Sequence, residues 1–268
     1  MENVANKIGT HNIIWVTLDT LRYDAATMAM DRGVIPWLGS MMPNGRWQKR
    51  HTPGSFTYAA HHAFFAGFLP TPTTPGPHMR PFALRFAGSE TTGTGTAVFD
   101  EPTIVEGLAG AGYHTICIGG VGFFNRMTPL GSVLPNLFAE SHWRPELGVT
   151  DPDSTRHQVD QALACIAARS PSERMFLFLN VSAIHQPNCM YLADAERDSV
   201  ESQIAALSYV DMHLCRLFEV IFQRGPGMAM IFSDHGTAYG EDGYHGHRLA
   251  HPVVWDVPYT ELEWSVRQ

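Results

Sequence analysis

The chain has 268 residues, 44% of them apolar and 16% charged, which is enough to bury a sizeable core and excludes a mainly disordered state. Its net charge of -8 leaves no broad cationic surface for a phosphate backbone, so no nucleic-acid partner is expected. The first apolar run, residues 13–18, is too short for a signal core or a membrane span, so the expectation is a cytoplasmic protein with no membrane partner.

Residues 12–18 read as a buried strand, followed by an amphipathic helix over 22–32 that ends near Gly33. A second helix is expected over 58–66, stopped by Gly67 and Pro70. Residues 68–92 contain Pro70, Pro72, Pro75, Pro77 and Pro81 and predict a long ordered loop. Strands over 94–99 and 113–118 flank a helix over 102–110, and another helix covers 158–169. The apolar run 174–181 predicts a strand, 198–224 a long helix, and 228–232 a last buried strand. Strands that are apolar on both faces, with helices between them, imply an α/β fold with a mostly parallel central sheet and helices on both faces. No repeat or linker divides the chain, so residues 1–268 are read as a single domain. Cys117, Cys165, Cys189 and Cys215 are widely spaced without a C-x-x-C pair, and are read as core or near-surface thiols.

Ligands of open parallel sheets bind beyond the carboxyl ends of the strands, so polar residues that directly follow strands are the first candidates. Asp19 and Thr20 follow the first strand, His185 follows the strand ending at Val181, and Asp234 and His235 follow the last. Asp19 alone is equally well read as a helix N-cap. For Asp234 and His235 together, a cap accounts for one residue and leaves the other idle. Two carboxylates and an imidazole at strand ends suit one divalent cation held by oxygen and nitrogen.

Three short motifs carry a resemblance. Leu18-Asp19-Thr20-Leu21-Arg22-Tyr23-Asp24, Ile35-Pro36-Trp37-Leu38 and Ser233-Asp234-His235-Gly236 stand in the order found in sulfatase-like hydrolases of the alkaline phosphatase superfamily, and the last match runs without a gap to Pro258. Residues 70–170 are only loosely similar. The chain resembles a compact bacterial branch of that superfamily, and its end soon after Pro258 predicts an alkaline-phosphatase-like core without the usual C-terminal subdomain.

The resemblance implies a nucleophile ten residues before the Gly of a small-Gly-x-x-Pro ending. Ala66-Gly67-Phe68-Leu69-Pro70 supplies that ending and points to Thr57, which otherwise reads as a helix N-cap, with Ser55 as a nearby competitor. True sulfatases carry a Cys/Ser-x-Pro-x-Arg motif that is converted to formylglycine. Here the matching run is Thr57-Tyr58-Ala59-Ala60-His61, with no Cys, Ser, Pro or Arg at the matching places, so the aldehyde route is closed. His185 resembles the His-x-Pro element that contacts the transferring group, His247 stands where the family has lysine, and His61 replaces an arginine that supports the nucleophile.

These residues predict a metal-dependent hydrolase or transferase of phosphate, phosphonate or sulfate esters acting on a small anionic substrate. Asp19, Thr57, Asp234 and His235 would hold one divalent ion, Zn²⁺ or Mn²⁺ before Mg²⁺ or Ca²⁺, and Thr57, His185 and His247 would do the chemistry. The alternative is a catalytically silent binding or accessory protein that keeps the metal site; an α/β serine hydrolase is disfavoured because no Gly-x-Ser-x-Gly elbow occurs. His251 is a candidate for a second metal, although a loop role is the simpler reading for it and for His245. Arg22 and Asp24 read as a structural pair, and Asp194 and Asp211 as carboxylates outside the site. Specificity is expected in the loops 70–92 and 122–148, where Glu140-Ser141-His142-Trp143 reads as a surface loop before a substrate contact. The sequence leaves the oligomeric state open.

Overall fold

The computed structural model describes residues 4–67, 82–83, 97–98 and 102–265. Strand β1 (Asn12–Leu18) is buried along its whole length, as its run of apolar residues on both faces requires. Helices α1 (Tyr23–Asp31) and α2 (Pro36–Met41) follow, then strand β2 (Gln48–His51) and helix α3 (Thr57–Ala66). Gly67 closes α3 in the left-handed conformation, φ 77°, where a side chain would be strained. Two short strands, β3 (Phe82–Ala83) and β4 (Ala97–Val98), precede helix α4 (Ile104–Gly110), which opens on a capping box between Thr103 and Glu106. Next come β5 (His114–Ile118), α5 (Pro129–Val133), β6 (Glu140–His142), α6 (Ser154–Ala167), β7 (Met175–Val181) and the long α7 (Val200–Gln223). The chain continues through β8 (Gly227–Phe232), the small hairpin of β9 (Ala238–Tyr239) and β10 (His245–Gly246), α8 (Pro252–Trp255) and β11 (Asp256–Trp264).

Seven strands form one sheet in the order β2-β11-β8-β1-β7-β5-β6. From β8 to β6 every pairing is parallel; β11 runs antiparallel to β8, and β2 antiparallel to β11. The α/β class and the mostly parallel sheet are as the sequence implies. The antiparallel edge is not, because β2 is exposed along its length and carries no apolar signature, and Pro258 interrupts the reading of β11 as a strand. Residues 140–142, expected in a surface loop, form the opposite edge strand β6. Of the strand expected over 94–99, only Ala97 and Val98 lie among the described residues, and most of the loop expected over 68–92 lies outside them.

Side-chain alternation sorts the core into two layers. Met175, Leu177, Leu179 and Val181 of β7 pack with α1, α2, α6 and α7, whereas Phe176 and Phe178 point to the other face, with Trp15 and Phe65. Each of these fully buried phenylalanines contributes about 1.5–3 kcal/mol of burial free energy, and Phe178 meets Phe65 edge-on at 5.2 Å. α3, on this aromatic face, is thereby fixed over the carboxyl ends of β1 and β8. Among the described residues no helix is long and apolar enough to cross a membrane.

Candidate metal centre and active site

Parallel pairing of β1 with β8 places Thr17 beside Phe232, so the residues that follow these strands, Asp19 and Asp234, come together. Both carboxylates and His235 are fully buried, and one ligand atom from each lies within 4.8 Å of the others. His235 Nε2 is 3.5 Å from Asp234 Oδ2 and 4.0 Å from Asp19 Oδ1. Thr57, 2% exposed, brings its Oγ1 to 3.2 Å from the same nitrogen. It is the first residue of α3, and Phe56 is the N-cap, so the hydroxyl does not cap the helix. The Ser55 carbonyl accepts from the Arg248 N–H at 2.8 Å.

The imidazole tautomer follows from its neighbours. His235 Nδ1 is 2.8 Å from the Gly236 carbonyl, which can only accept, so Nδ1 carries the proton and Nε2 presents a lone pair toward Thr57, Asp19 and Asp234. Gly236 is required here by close approach: a Cβ would stand 1.9 Å from the Val253 carbonyl oxygen.

Further residues aim the carboxylates. Thr20 adopts φ 70°, and from there its N–H donates to Asp234 Oδ1 at 3.1 Å and its hydroxyl to Asp19 Oδ1 at 2.9 Å. Asn180 Nδ2 donates to Asp19 Oδ2 at 2.9 Å. His61 donates from Nδ1 to the Thr57 carbonyl at 2.8 Å, and its Nε2 meets Thr17 Oγ1 at 3.2 Å. Burial, partly offset by Asp19, lowers the His61 pKa to about 4, so the ring is neutral and supports the start of α3 as a hydrogen-bonded post. The sequence marks Thr20 only as a residue that follows the first strand, and it does not single out Asn180. Asn180 did leave a signal, as the polar residue within the apolar run 174–181.

The electrostatics suit a cation. Burial and the neighbouring Asp19 push the Asp234 carboxyl well above its ordinary range. Asp19 loses its solvation as well, but the imidazoles of His185 and His235 and the Asn180 amide outweigh that and lower its pKa. Asp234 Oδ2 is buried with no hydrogen-bond partner among the described residues. Two buried carboxylates, an orphaned oxygen, a bare imidazole nitrogen and a hydroxyl form a donor set that fits one divalent ion.

His247 lies beside this group, its ring centroid 4.6 Å from that of His235, and His185 lies 5.9 Å from His247. Burial, then the two neighbouring imidazoles, lower the His247 pKa to about 4. His185 Nδ1 donates to the Gln186 carbonyl at 2.5 Å. His251 stands apart: its Nδ1 caps α8 by accepting from Val253 N–H, and its Nε2 meets Asp242 at 3.2 Å, so neither nitrogen is turned to the centre. His245 is exposed in the β9–β10 hairpin. Arg22 pairs with Asp24 through two bonds of 2.8 and 2.6 Å and also with Glu241, the structural role expected of it. Asp211 caps α2 by accepting from Trp37 and Leu38 N–H, and Asp194 is an exposed residue in the left-handed region. Trp143 donates to the Gly120 carbonyl at 2.9 Å.

The model of the family described as Sulfatase matches residues 11–260. The chain belongs to the sulfatase family. Its sulfatase fold is shared with solved structures of low identity. The C-terminal periplasmic domain of phosphoethanolamine transferase EptC from Campylobacter jejuni is 12% identical, with a TM-score of 0.62 over 95% of this chain and 79% of that one. The lipoteichoic acid synthase LtaP from Listeria monocytogenes is 11% identical, with a TM-score of 0.64 over 96% of this chain and 66% of that one. The corresponding EptC domain of Escherichia coli, solved as a complex with Zn, is 12% identical, with a TM-score of 0.58 over 95% and 73%. No curated protein matches the chain. Within the sulfatase family the alkaline-phosphatase-like core is therefore as the three motifs imply.

Proposed function

We propose that this sulfatase-family chain is a metal-dependent hydrolase or transferase of phosphate, phosphonate or sulfate esters that uses the Thr57 hydroxyl as nucleophile. The observation that carries the reading is the 3.2 Å approach of Thr57 Oγ1 to His235 Nε2 beside two buried carboxylates. Asp19, Asp234, His235 and Thr57 would hold the ion, and their separations of 3.2 to 4.0 Å from His235 Nε2 resemble the roughly 3–4 Å between ligands of one cation. The imidazole and the Zn-bound relative favour Zn²⁺ or Mn²⁺ over Mg²⁺ or Ca²⁺. When bound, the ion lowers the pKa of the hydroxyl and offsets the negative charge of the ester.

The remaining work falls to the chain. Thr57 sits where the first-turn N–H groups of α3 and the helix dipole favour a developing alkoxide and an incoming oxyanion. With its proton released to water, its oxygen attacks phosphorus or sulfur in line, forming one ester bond as the bond to the leaving oxygen breaks. Thr20, Asn180 and Gly236 fix the directions of Asp19, Asp234 and His235, so little reorganisation accompanies the attack. His185 and His247 supply hydrogen bonds to the non-bridging oxygens and to the leaving oxygen. Water, or an acceptor alcohol in the transferase case, then takes the group from Thr57.

The test is an assay panel of aryl phosphate mono- and diesters, phosphonates and sulfates, run on the wild type and on Thr57→Ala after metal loading. Activity confined to the wild type and abolished by chelation supports the reading. Equal rates for both proteins, or no turnover of any ester by a metal-loaded wild type, would return the chain to the role of a silent binding protein.

A further inference from the structure

β5, β6 and α6 bring a second set of ligand side chains together at the β6 edge of the sheet, three strands along from β1. Register places Glu140 beside Ile116 and His142 beside Ile118, on the face that packs against α6, and Cys165 of α6 completes the group. Glu140 Oε1 is 2.7 Å from His142 Nε2, and that nitrogen is 3.3 Å from Cys165 Sγ. One oxygen, one nitrogen and one sulfur thus converge, all within 4.8 Å of one another. The other carboxylate oxygen, Oε2, is held by His114 Nε2 at 2.8 Å and by the Arg169 guanidinium at 2.7 Å, so Oε1 alone is presented to the group. Gln161 Nε2 lies 3.6 Å from Cys165 Sγ, an N–H donor that marks the sulfur as an acceptor.

His142 Nε2 has one proton to give to Glu140, and the Cys165 thiol carries its own. A cation at their centre satisfies all three. Ligands of a tetrahedral zinc ion stand roughly 3.3–3.8 Å apart, so the His142–Cys165 pair already has that spacing and the Glu140–His142 pair needs to open by less than about 1 Å. The mixed O/N/S set excludes the oxygen-seeking Mg²⁺ and Ca²⁺ and selects a borderline-soft ion. We propose that Glu140, His142 and Cys165 form a separate divalent-metal site, of the Zn²⁺ class, with Arg169 and His114 orienting the carboxylate and water completing the coordination. The site ties a three-residue edge strand to α6. It also steadies the segment that leads into it, where Arg126 donates to Ser141 Oγ at 2.7 Å. It is independent of the catalytic reading of Asp19, Asp234 and His235.

The experiment is a Co²⁺ titration of the full chain with its thiols kept reduced, followed by near-ultraviolet absorption, since only a sulfur ligand gives an intense sulfur-to-cobalt charge-transfer band. The band should appear in the wild type and in the Asp19→Asn/Asp234→Asn double variant, vanish in Cys165→Ser, and be displaced in the double variant by one equivalent of Zn²⁺. Alkylation mapped by peptide mass spectrometry gives a readout that needs no variant: Zn²⁺ should slow modification of Cys165 at least tenfold and leave Cys215 unaffected. No band in the wild type, a band that persists in Cys165→Ser, a band lost in the double variant, or unchanged alkylation of Cys165 would each overturn the proposal.

Discussion

Thr57 Oγ1 and His235 Nε2 stand 3.2 Å apart although 178 positions separate them in sequence. That meeting is made by the aromatic face of the sheet, which seats α3 over the ends of β1 and β8. Replacing Thr57 by Ala removes the proposed attacking oxygen and should lower kcat/KM on the order of 10³-fold or more, whereas Thr57→Ser should keep it within about tenfold of wild type. Kinetics on metal-loaded proteins check the pair; comparable losses in both variants would contradict a nucleophilic hydroxyl.

Asp234 shares a buried site with Asp19, and the cation that would offset both charges is removable. Asp234→Asn keeps an oxygen acceptor for the Thr20 and His235 N–H groups while removing one buried carboxyl. Chelated Asp234→Asn should therefore unfold at a higher temperature than the chelated wild type, by about 1–2 kcal/mol at the midpoint. With metal present the order should invert, because the wild type gains the binding free energy and the variant does not. Thermal unfolding with and without chelator measures both.

Gly236→Ala forces a Cβ toward the Val253 carbonyl oxygen, 1.9 Å away in the native backbone. The Gly236 N–H also donates to Val254 O at 2.7 Å, so neither strand of this turn can move alone. A loss of about 3 kcal/mol or more is expected, read as a fall in denaturant midpoint. A neutral result would mean that the turn after β8 is far softer than its hydrogen bonds imply.

Glu140 sets an acid limit on stability. Burial raises its pKa, but bonds from His114, His142 and Arg169 outweigh that and bring it down to about 2, from an ordinary value of 4.5. A depressed folded pKa means stability that is present above about 4.5 and lost as pH falls toward about 2. In chelator, Glu140→Gln should thus flatten the stability profile between these values and leave the midpoint at pH 3 nearer to the wild type than at pH 6. Urea unfolding as a function of pH decides it.

Much of this arrangement was legible in the residues themselves. The run 12–18 is apolar on both faces, and the strand occupies those same residues, with Asp19 directly after it; the Ser233-Asp234-His235-Gly236 turn follows β8 in the same way. What stayed hidden has physical reasons. β2 consists of exposed polar residues, and β6 has three residues, so neither shows a hydrophobic period; both exist because a neighbouring strand offers a ladder. The φ of 70° at Thr20 belongs to the tertiary fold, and no local pattern announces it. The union of Cys165 with His142 and Glu140 arises from the packing of α6 on the sheet edge, which composition cannot report.

Asn180 is the residue whose role could most easily have been read as structural filler. It is fully buried in β7, next to the strand end, and its amide nitrogen reaches Asp19 Oδ2 at 2.9 Å and Thr17 Oγ1 at 3.3 Å while its oxygen accepts from Val121 N–H at 3.0 Å. It therefore locks one oxygen of Asp19 and leaves the other to Thr20 and the proposed cation. Asn180→Leu has similar volume and would leave Asp19 Oδ2 and the Val121 N–H unpaired, at a cost of about 1–3 kcal/mol each in stability. Asn180→Asp instead keeps the acceptor for Val121 but sets a carboxylate against Asp19, so it should perturb metal binding more than the fold. Metal affinity should fall about 10–100-fold in both variants. If Asn180 only filled space, Asn180→Leu would bind metal as tightly as wild type, and isothermal titration of the two proteins separates these outcomes.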